Sequence, residues 1–274
     1  MQKPPGTTGK ILITGGTSGL GLELVKLFLK KGYEIVATGR NPVTITGYEN
    51  LFKFYRVDLD DLGQAALMIR EICENYQFDI VINNAGVLSP PRFMQTVNDL
   101  EYTLQVNFLS HLLINEVILR KNKTGNPITI AAVTSPVYRI AKGDLIVHPM
   151  KSGYRPLKAY SGSKLYLALM CNYLPERFPD HKLMCICFDP GTFSSRIYRM
   201  QNKTFRILYR IASPFMRSPG KVAGAIAEIL STKDLSNGSI YDYRKKIRSI
   251  PQTDESAGEI FWKECYHLIG PFVH

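Results

Sequence analysis

Tyr160 and Lys164, a phenol and an amine four residues apart, are the pair in this sequence best placed to do chemistry together. On a helix, side chains at that spacing lie one above the other on one face. An ammonium beside a phenol favours phenolate and draws a tyrosine pKa from its ordinary value near ~10 toward neutrality. A general acid/base working at physiological pH needs that shift. The spacing alone is not specific. It recurs at Tyr138/Lys142, Tyr154/Lys158 and Tyr241/Lys245, and about one such match is expected by chance in a chain this rich in Tyr and Lys. Context separates the four. Pro156 interrupts the second pair, so no regular helix is expected there. The first adjoins Ser135-Pro136, and the last lies in a Gly/Tyr/basic stretch that reads as strand and turn. Tyr160 alone opens a run of helix formers with apolar periodicity, Leu165, Leu167, Ala168, Leu169 and Leu174 among them.

A second chemistry-bearing stretch is Thr14-Gly15-Gly16-Thr17-Ser18-Gly19-Leu20-Gly21. It follows a short apolar strand at 10–14 and precedes a helix with Leu20, Leu24, Leu27 and Phe28 on one face. Strand, Gly-rich turn and helix together let the backbone approach a pyrophosphate, whose charge a helix amino terminus stabilises. A second strand, Glu34 to Thr38, ends at Gly39-Arg40. An acidic side chain there would hold the ribose 2′-hydroxyl of NAD. Gly39 removes it, and the Arg40 guanidinium can pair with a 2′-phosphate, which argues for NADP. Asp58-Leu59 ends a third strand (Phe52 to Val57), where Asp58 can bond an adenine amino group or cap the helix beginning near Asp60. Asn83-Asn84-Ala85-Gly86 ends a fourth (Phe78 to Ile82), leaving room for a ribose.

The elements that must position these residues alternate strand and helix throughout. A long helix over about 97–121 carries Asn107 on an apolar stripe, where a polar amide is more often a satisfied core group than a catalytic one. Strand Ile128 to Val133 leads to Thr134-Ser135-Pro136, and Ser135 stands where open α/β sheets bind ligands. After an irregular excursion (136–158) and the Tyr160 helix, strand Leu183 to Phe188 runs into Asp189-Pro190-Gly191-Thr192. Helix 219–231, strand 239–243 and a last amphipathic helix close the chain. The pattern predicts an α/β fold, a single doubly wound Rossmann-type domain over 1–274 with a parallel seven-stranded sheet and helices on both faces. A substrate lid is expected around 193–217.

Composition bounds the rest. With 274 residues, 45% of them hydrophobic, the chain can bury one sizeable core. No signal peptide is visible, and no apolar run reaches the ~18 residues of a spanning helix. The cysteines at 73, 171, 185, 187 and 265 show no metal-ligand spacing; Cys185 and Cys187 alternate within a buried strand, which fits a reduced, cytoplasmic setting. The net charge of +11 concentrates between Arg196 and Arg217, with six basic residues and no acidic one. An anionic membrane surface or an acidic protein partner suits that segment. Nucleic acid is not expected, because no finger, RNP or helix-turn-helix signature accompanies the charge.

Taken in order, Thr14-Gly15-x-x-x-Gly19-x-Gly21, Asn83-Asn84-Ala85-Gly86, Asn107, Ser135, Tyr160-x-x-x-Lys164 and Pro190-Gly191 resemble the short-chain dehydrogenases/reductases over essentially the whole chain. The closest likeness is to the retinol dehydrogenase branch, through Val106-Asn107-Phe108-Leu109-Ser110-His111-Leu112-Leu113, Lys158-Ala159-Tyr160 and Ser249-Ile250-Pro251-Gln252. Thr134, Phe108 and Asp189 depart from that branch, which often has Ser, His and His there.

The resemblance implies a catalytic set of Asn107, Ser135, Tyr160 and Lys164. Tyr160 would be the acid/base, Lys164 would hold the nicotinamide ribose, Ser135 would bond the substrate oxygen, and Asn107 would hold a water linking Lys164 to solvent. It implies cofactor contacts from Gly15, Thr17, Ser18, Gly19, Leu20, Gly21, Arg40, Asp58, Leu59, Asn84, Ala85, Gly86, Tyr160, Lys164, Pro190, Gly191 and Thr192. The expected activity is NADPH-dependent reduction of a ketone or aldehyde on an apolar small molecule, reversible. The alternatives are a ketoreductase acting on a carrier-protein-bound acyl group, with 196–217 meeting the acidic carrier or an anionic membrane, and a non-catalytic NADP(H)-sensing scaffold. A homodimer or homotetramer is compatible with the chain.

Overall fold

A computed structural model describes residues 8–122, 124–141, 145, 147, 151–193, 216–232 and 234–274. The expected lid and the basic stretch 196–217 lie outside the described residues except at their ends. Strands β1 (Lys10–Thr14), β2 (Glu34–Gly39), β3 (Phe52–Arg56), β4 (Ile80–Asn83), β5 (Ile128–Val133), β6 (Leu183–Asp189), β7 (Ser239–Asp242) and β8 (Ile247–Ser249) form one sheet in the order β3-β2-β1-β4-β5-β6-β7-β8. The first seven pair in parallel, as expected. The sheet is one strand wider than expected, because the chain turns back after Tyr243 and β8 adds antiparallel to β7. Three residues with exposed ends give no hydrophobic signal, so β8 is invisible to pattern.

The strand order reverses between β1 and β4. Crossovers leave in opposite directions there, opening a crevice at the strands' carboxyl ends. Alternation along the strands sends side chains to two cores. Leu12, Val81, Cys185 and Cys187 face one layer with helices α2 (Leu62–Asn75), α4 (Ser110–Lys121), α5 (Pro156–Arg177) and α7 (Glu255–Val273). Ile11, Ile13, Ile82 and Phe188 face the other with α1 (Gly19–Lys30) and α6 (Pro219–Leu230).

Helix α5 is buried at every residue from Tyr160 to Cys171, because the segment around Asn107 and Phe108 and, further along, α7 cover the face that the sheet does not. Tyr173 stacks on Trp262 with ring centroids 4.0 Å apart, and Phe261 reaches Tyr166 at 4.7 Å. Burying a side chain such as Phe261 stabilises by about 1.5–3 kcal/mol. Arg70 then caps the carboxyl end of α7, donating to the carbonyls of Phe272 (2.7 Å) and His274 (3.0 Å).

Several boundaries differ from expectation for local reasons. Pro156 does not interrupt a helix; it opens α5 as the first residue after Arg155, where its missing N–H costs nothing. Tyr154 therefore lies outside the helix that holds Lys158. The helix expected over 97–121 begins at Tyr102 as α3 (Tyr102–Leu104), because the Glu101 carboxylate accepts from the Thr103 and Leu104 N–H groups. A π turn over Gln105–Leu109 then joins it to α4. Asp61, accepting from Gln64 N, caps α2 in place of Asp58. Among the described residues no helix is long and apolar enough to cross a membrane.

Candidate active site

A cavity of about 650 Å³ opens along the crevice at the strands' carboxyl ends. Its floor is the turn between β1 and α1. A Cβ on Gly21 would lie 2.2 Å from the Gly15 carbonyl oxygen, so only glycine lets α1 start this close to β1. Gly19, at φ +54°, has nothing within 4 Å of where its Cβ would be. That open cradle at the amino end of a twelve-residue helix suits a pyrophosphate. Thr14 locks the turn to the neighbouring loop: its hydroxyl accepts from Asn84 N and Ala85 N, both at 3.0 Å. The donor set and the cradle fit a dinucleotide.

All the residues expected to touch the cofactor line this one cavity: Gly15 and Thr17 to Gly21, Arg40, Asp58 and Leu59, Asn84 to Gly86, Tyr160, Lys164 and Pro190 to Thr192. Arg40 is exposed at the end of β2, and its guanidinium engages the Tyr102 phenol and the charge of Asp60. Burial and the neighbouring Asp58 push the Asp60 carboxyl up. Tyr102 also lines the cavity; on an apolar stripe it had no distinguishing mark.

Ser135, Tyr160 and Lys164 line the same cavity. Ser135 follows β5 and precedes a 3-10 turn over Pro136–Ile140. Lys164 is buried, and its ammonium donates to the Val133 carbonyl at 2.9 Å. Burial pushes its pKa down to about 8, which still leaves the cation dominant at pH 7. A Cβ on Gly86 would sit 3.1 Å from Asn107 Oδ1 and 3.4 Å from Lys164 Nζ. Amide and ammonium thus flank one glycine.

The sequence model of the short chain dehydrogenase family matches residues 9–205. The chain belongs to the short-chain dehydrogenase family. A Streptomyces protein (strain C5) that carries the provisional name daunorubicin C-13 ketoreductase is 26% identical over 97% of this chain and 93% of its own. Human retinol dehydrogenase 12 is 25% identical over 95% and 86%. The likeness to the retinol dehydrogenase branch is thereby borne out. A solved short chain dehydrogenase from Leptospira borgpetersenii, with bound NAD+, superposes with a TM-score of 0.65 at 19% identity, over 89% of this chain and 95% of that one.

In this short-chain dehydrogenase, Asn107 does not line the cavity. It sits behind the wall, fully buried in the π turn. Its amide donates to Val87 O (2.9 Å) and Ser163 Oγ (3.0 Å) and accepts from Val87 N (2.7 Å). The amide is a satisfied core group that ties the loop after β4 to α5.

The dehydrogenase also has a buried histidine whose role the sequence did not indicate, His111. With both lone pairs of Thr14 Oγ1 accepting, its proton goes to His111 Nε2 at 3.0 Å in preference to Ile82 O at 3.4 Å. The imidazole therefore carries its hydrogen on Nδ1 and donates to the Asn107 carbonyl at 3.0 Å. Burial holds the His111 pKa down to about 4, so the ring is neutral. One histidine thus joins the end of β1 to the π turn. A lone His within an apolar run offered no signal for this.

Proposed function

We propose that this protein is an NADPH-dependent reductase of ketones or aldehydes on apolar small molecules, working reversibly. The observation that carries the reading is that Ser135, Tyr160 and Lys164 line the same cavity as the glycine cradle. Pro136 and Val137 after Ser135, Leu157 before Tyr160, and Phe193 after Thr192 add apolar lining to that cavity. The names of the relatives, a ketoreductase and a retinol dehydrogenase, support this substrate class.

When bound, the dinucleotide supplies the hydride. Ser135 and Tyr160 donate hydrogen bonds to the substrate oxygen, where negative charge grows as the carbonyl carbon is reduced. Tyr160 passes its proton to that oxygen, completing the alcohol. The Lys164 cation, aimed by its bond to Val133 O, stabilises the phenolate that remains. A water at Asn107 would use the second lone pair of the carbonyl that His111 already engages. Oxidation of an alcohol uses the same groups in reverse.

Preference for NADPH rests on Gly39 and Arg40 at the end of β2, where no carboxylate competes for a ribose 2′-hydroxyl. Asp60 offsets part of the Arg40 charge, so discrimination is expected to be moderate. The test is a panel of carbonyl compounds (retinal, a steroid ketone, a diketone and a carrier-bound ketone) in which NADPH consumption is followed. Turnover of a free apolar carbonyl is expected. Bound NADPH with no consumption across the panel would overturn the reading in favour of a sensing role.

A further inference from the structure

We propose that Arg139 and Asp189 are a positioning pair that locks the turn after Ser135 to the turn beginning at Pro190, holding the cofactor and substrate ends of the cavity at a set separation; this rests on the reductase reading above. The two turns leave adjacent strands, β5 and β6. Arg139 belongs to the first, where Tyr138 N donates to Ser135 O at 3.0 Å. Asp189 ends β6, and its carboxylate spans both turns. Oδ2 accepts from Arg139 Nη2 at 3.0 Å, and Oδ1 accepts from Gly191 N at 2.9 Å.

The Asp189 side chain is 3% exposed, whereas Arg139 is 45% exposed. Arg139 therefore reaches in from solvent, lying 5.4 Å from the Tyr138 ring centroid, to a carboxylate that has almost no access to water. A buried carboxylate deprived of its cation is strongly destabilised, so the two turns are held together by the need to keep this charge paired. Each turn lines the cavity, through Ser135, Pro136 and Val137 on one side and Pro190, Gly191 and Thr192 on the other. Neither Arg139 nor Asp189 lines it. They act through the residues beside them.

The second turn has another support. Arg217 Nη1 donates to Thr192 O at 3.1 Å, and its guanidinium lies 3.3 Å from the Tyr243 ring centroid. Removing Arg139 therefore loosens the spacing of the two turns without unfolding the Pro190 turn. Among the described residues, Asp242, opposite Asp189 in β7, is already engaged: it accepts from Arg244 N and Lys246 N and faces Arg248 at 3.6 Å.

The experiment compares R139Q, R139K, D189N and the double variant R139Q/D189N with the wild type. NADPH affinity is read by the change in cofactor fluorescence on binding, and kcat by carbonyl-dependent NADPH consumption. Misplacing a reacting group by a fraction of an ångström is enough to lower turnover by about tenfold or more. R139Q and D189N are each expected to weaken NADPH binding about tenfold and to lower kcat at saturating cofactor by about tenfold. R139K should recover most of both losses. The double variant should be no worse than either single one, because both break the same contact. Affinity and kcat within twofold of wild type in the single variants, or losses that multiply in the double, would overturn the pair. If the wild type reduces no carbonyl, the reductase reading fails by itself and the binding measurements still decide the pair.

Discussion

The Thr134 hydroxyl donates to the backbone carbonyl of Lys164 at 2.8 Å, while the Lys164 ammonium donates back to Val133 O at 2.9 Å. These two opposed bonds staple the strand that delivers Ser135 to the helix that delivers Tyr160 and Lys164. Thr134, which in the sequence is only a departure from the branch's usual Ser, thus holds the reacting groups in register. Thr134→Val should destabilise the protein by about 1–2 kcal/mol and lower turnover, with Thr134→Ser close to wild type. Urea unfolding and steady-state kinetics on the two variants check this; a Val variant with wild-type kcat would remove Thr134 from the positioning set.

Tyr160→Phe should leave NADPH affinity nearly unchanged and lower turnover by about 10²–10⁴-fold, the usual contribution of a positioned general acid. Direct binding and single-turnover measurements separate the two quantities. Unchanged turnover would end the assignment of Tyr160 as the proton donor.

Arg40→Asp should weaken NADPH binding and shift the NADH to NADPH ratio of kcat/KM toward NADH. The introduced carboxylate repels a 2′-phosphate and can accept from a ribose 2′-hydroxyl. The ratio is measured with one carbonyl substrate and both cofactors. An unaltered ratio would mean that the exposed guanidinium is spent on Tyr102 and Asp60 alone.

His111 makes the fold sensitive to acid. Its pKa lies at about 4 in the native state against an ordinary value of 6.5, so the unfolded chain takes up the proton first. Native stability should therefore fall as pH drops from about 6.5 through about 4, by on the order of 3 kcal/mol in total. His111→Gln, which cannot take the proton, should be less stable at pH 7 and lose this slope. Unfolding midpoints from pH 7.5 to 4 test it; the same slope in both proteins would place the sensitivity elsewhere.

Much of the candidate site is legible in the order of residue types because the fold places every strand's carboxyl end along one crevice. Thr14-Gly15, Gly39-Arg40, Asp58-Leu59, Asn84-Ala85-Gly86, Ser135 and Pro190-Gly191-Thr192 each follow a strand, so alternation of strand and helix already predicts that they share an edge of the sheet. The Tyr160/Lys164 spacing adds the helix that faces that edge. Asn107 was legible as a buried amide, but not as part of a π turn, since the extra residue in that turn leaves no compositional trace.

The sequence by itself therefore determined which groups stand at the sheet's rim and the chemistry they can perform, because period and turn residues are local properties of the chain. Tertiary structure alone decided how those groups are held. Thr134 meeting Lys164, His111 meeting Thr14, and Arg139 reaching Asp189 join residues 30, 97 and 50 positions apart in the chain. Such contacts depend on which strands become neighbours and how far each helix slides along the sheet, and no short window of residues encodes either.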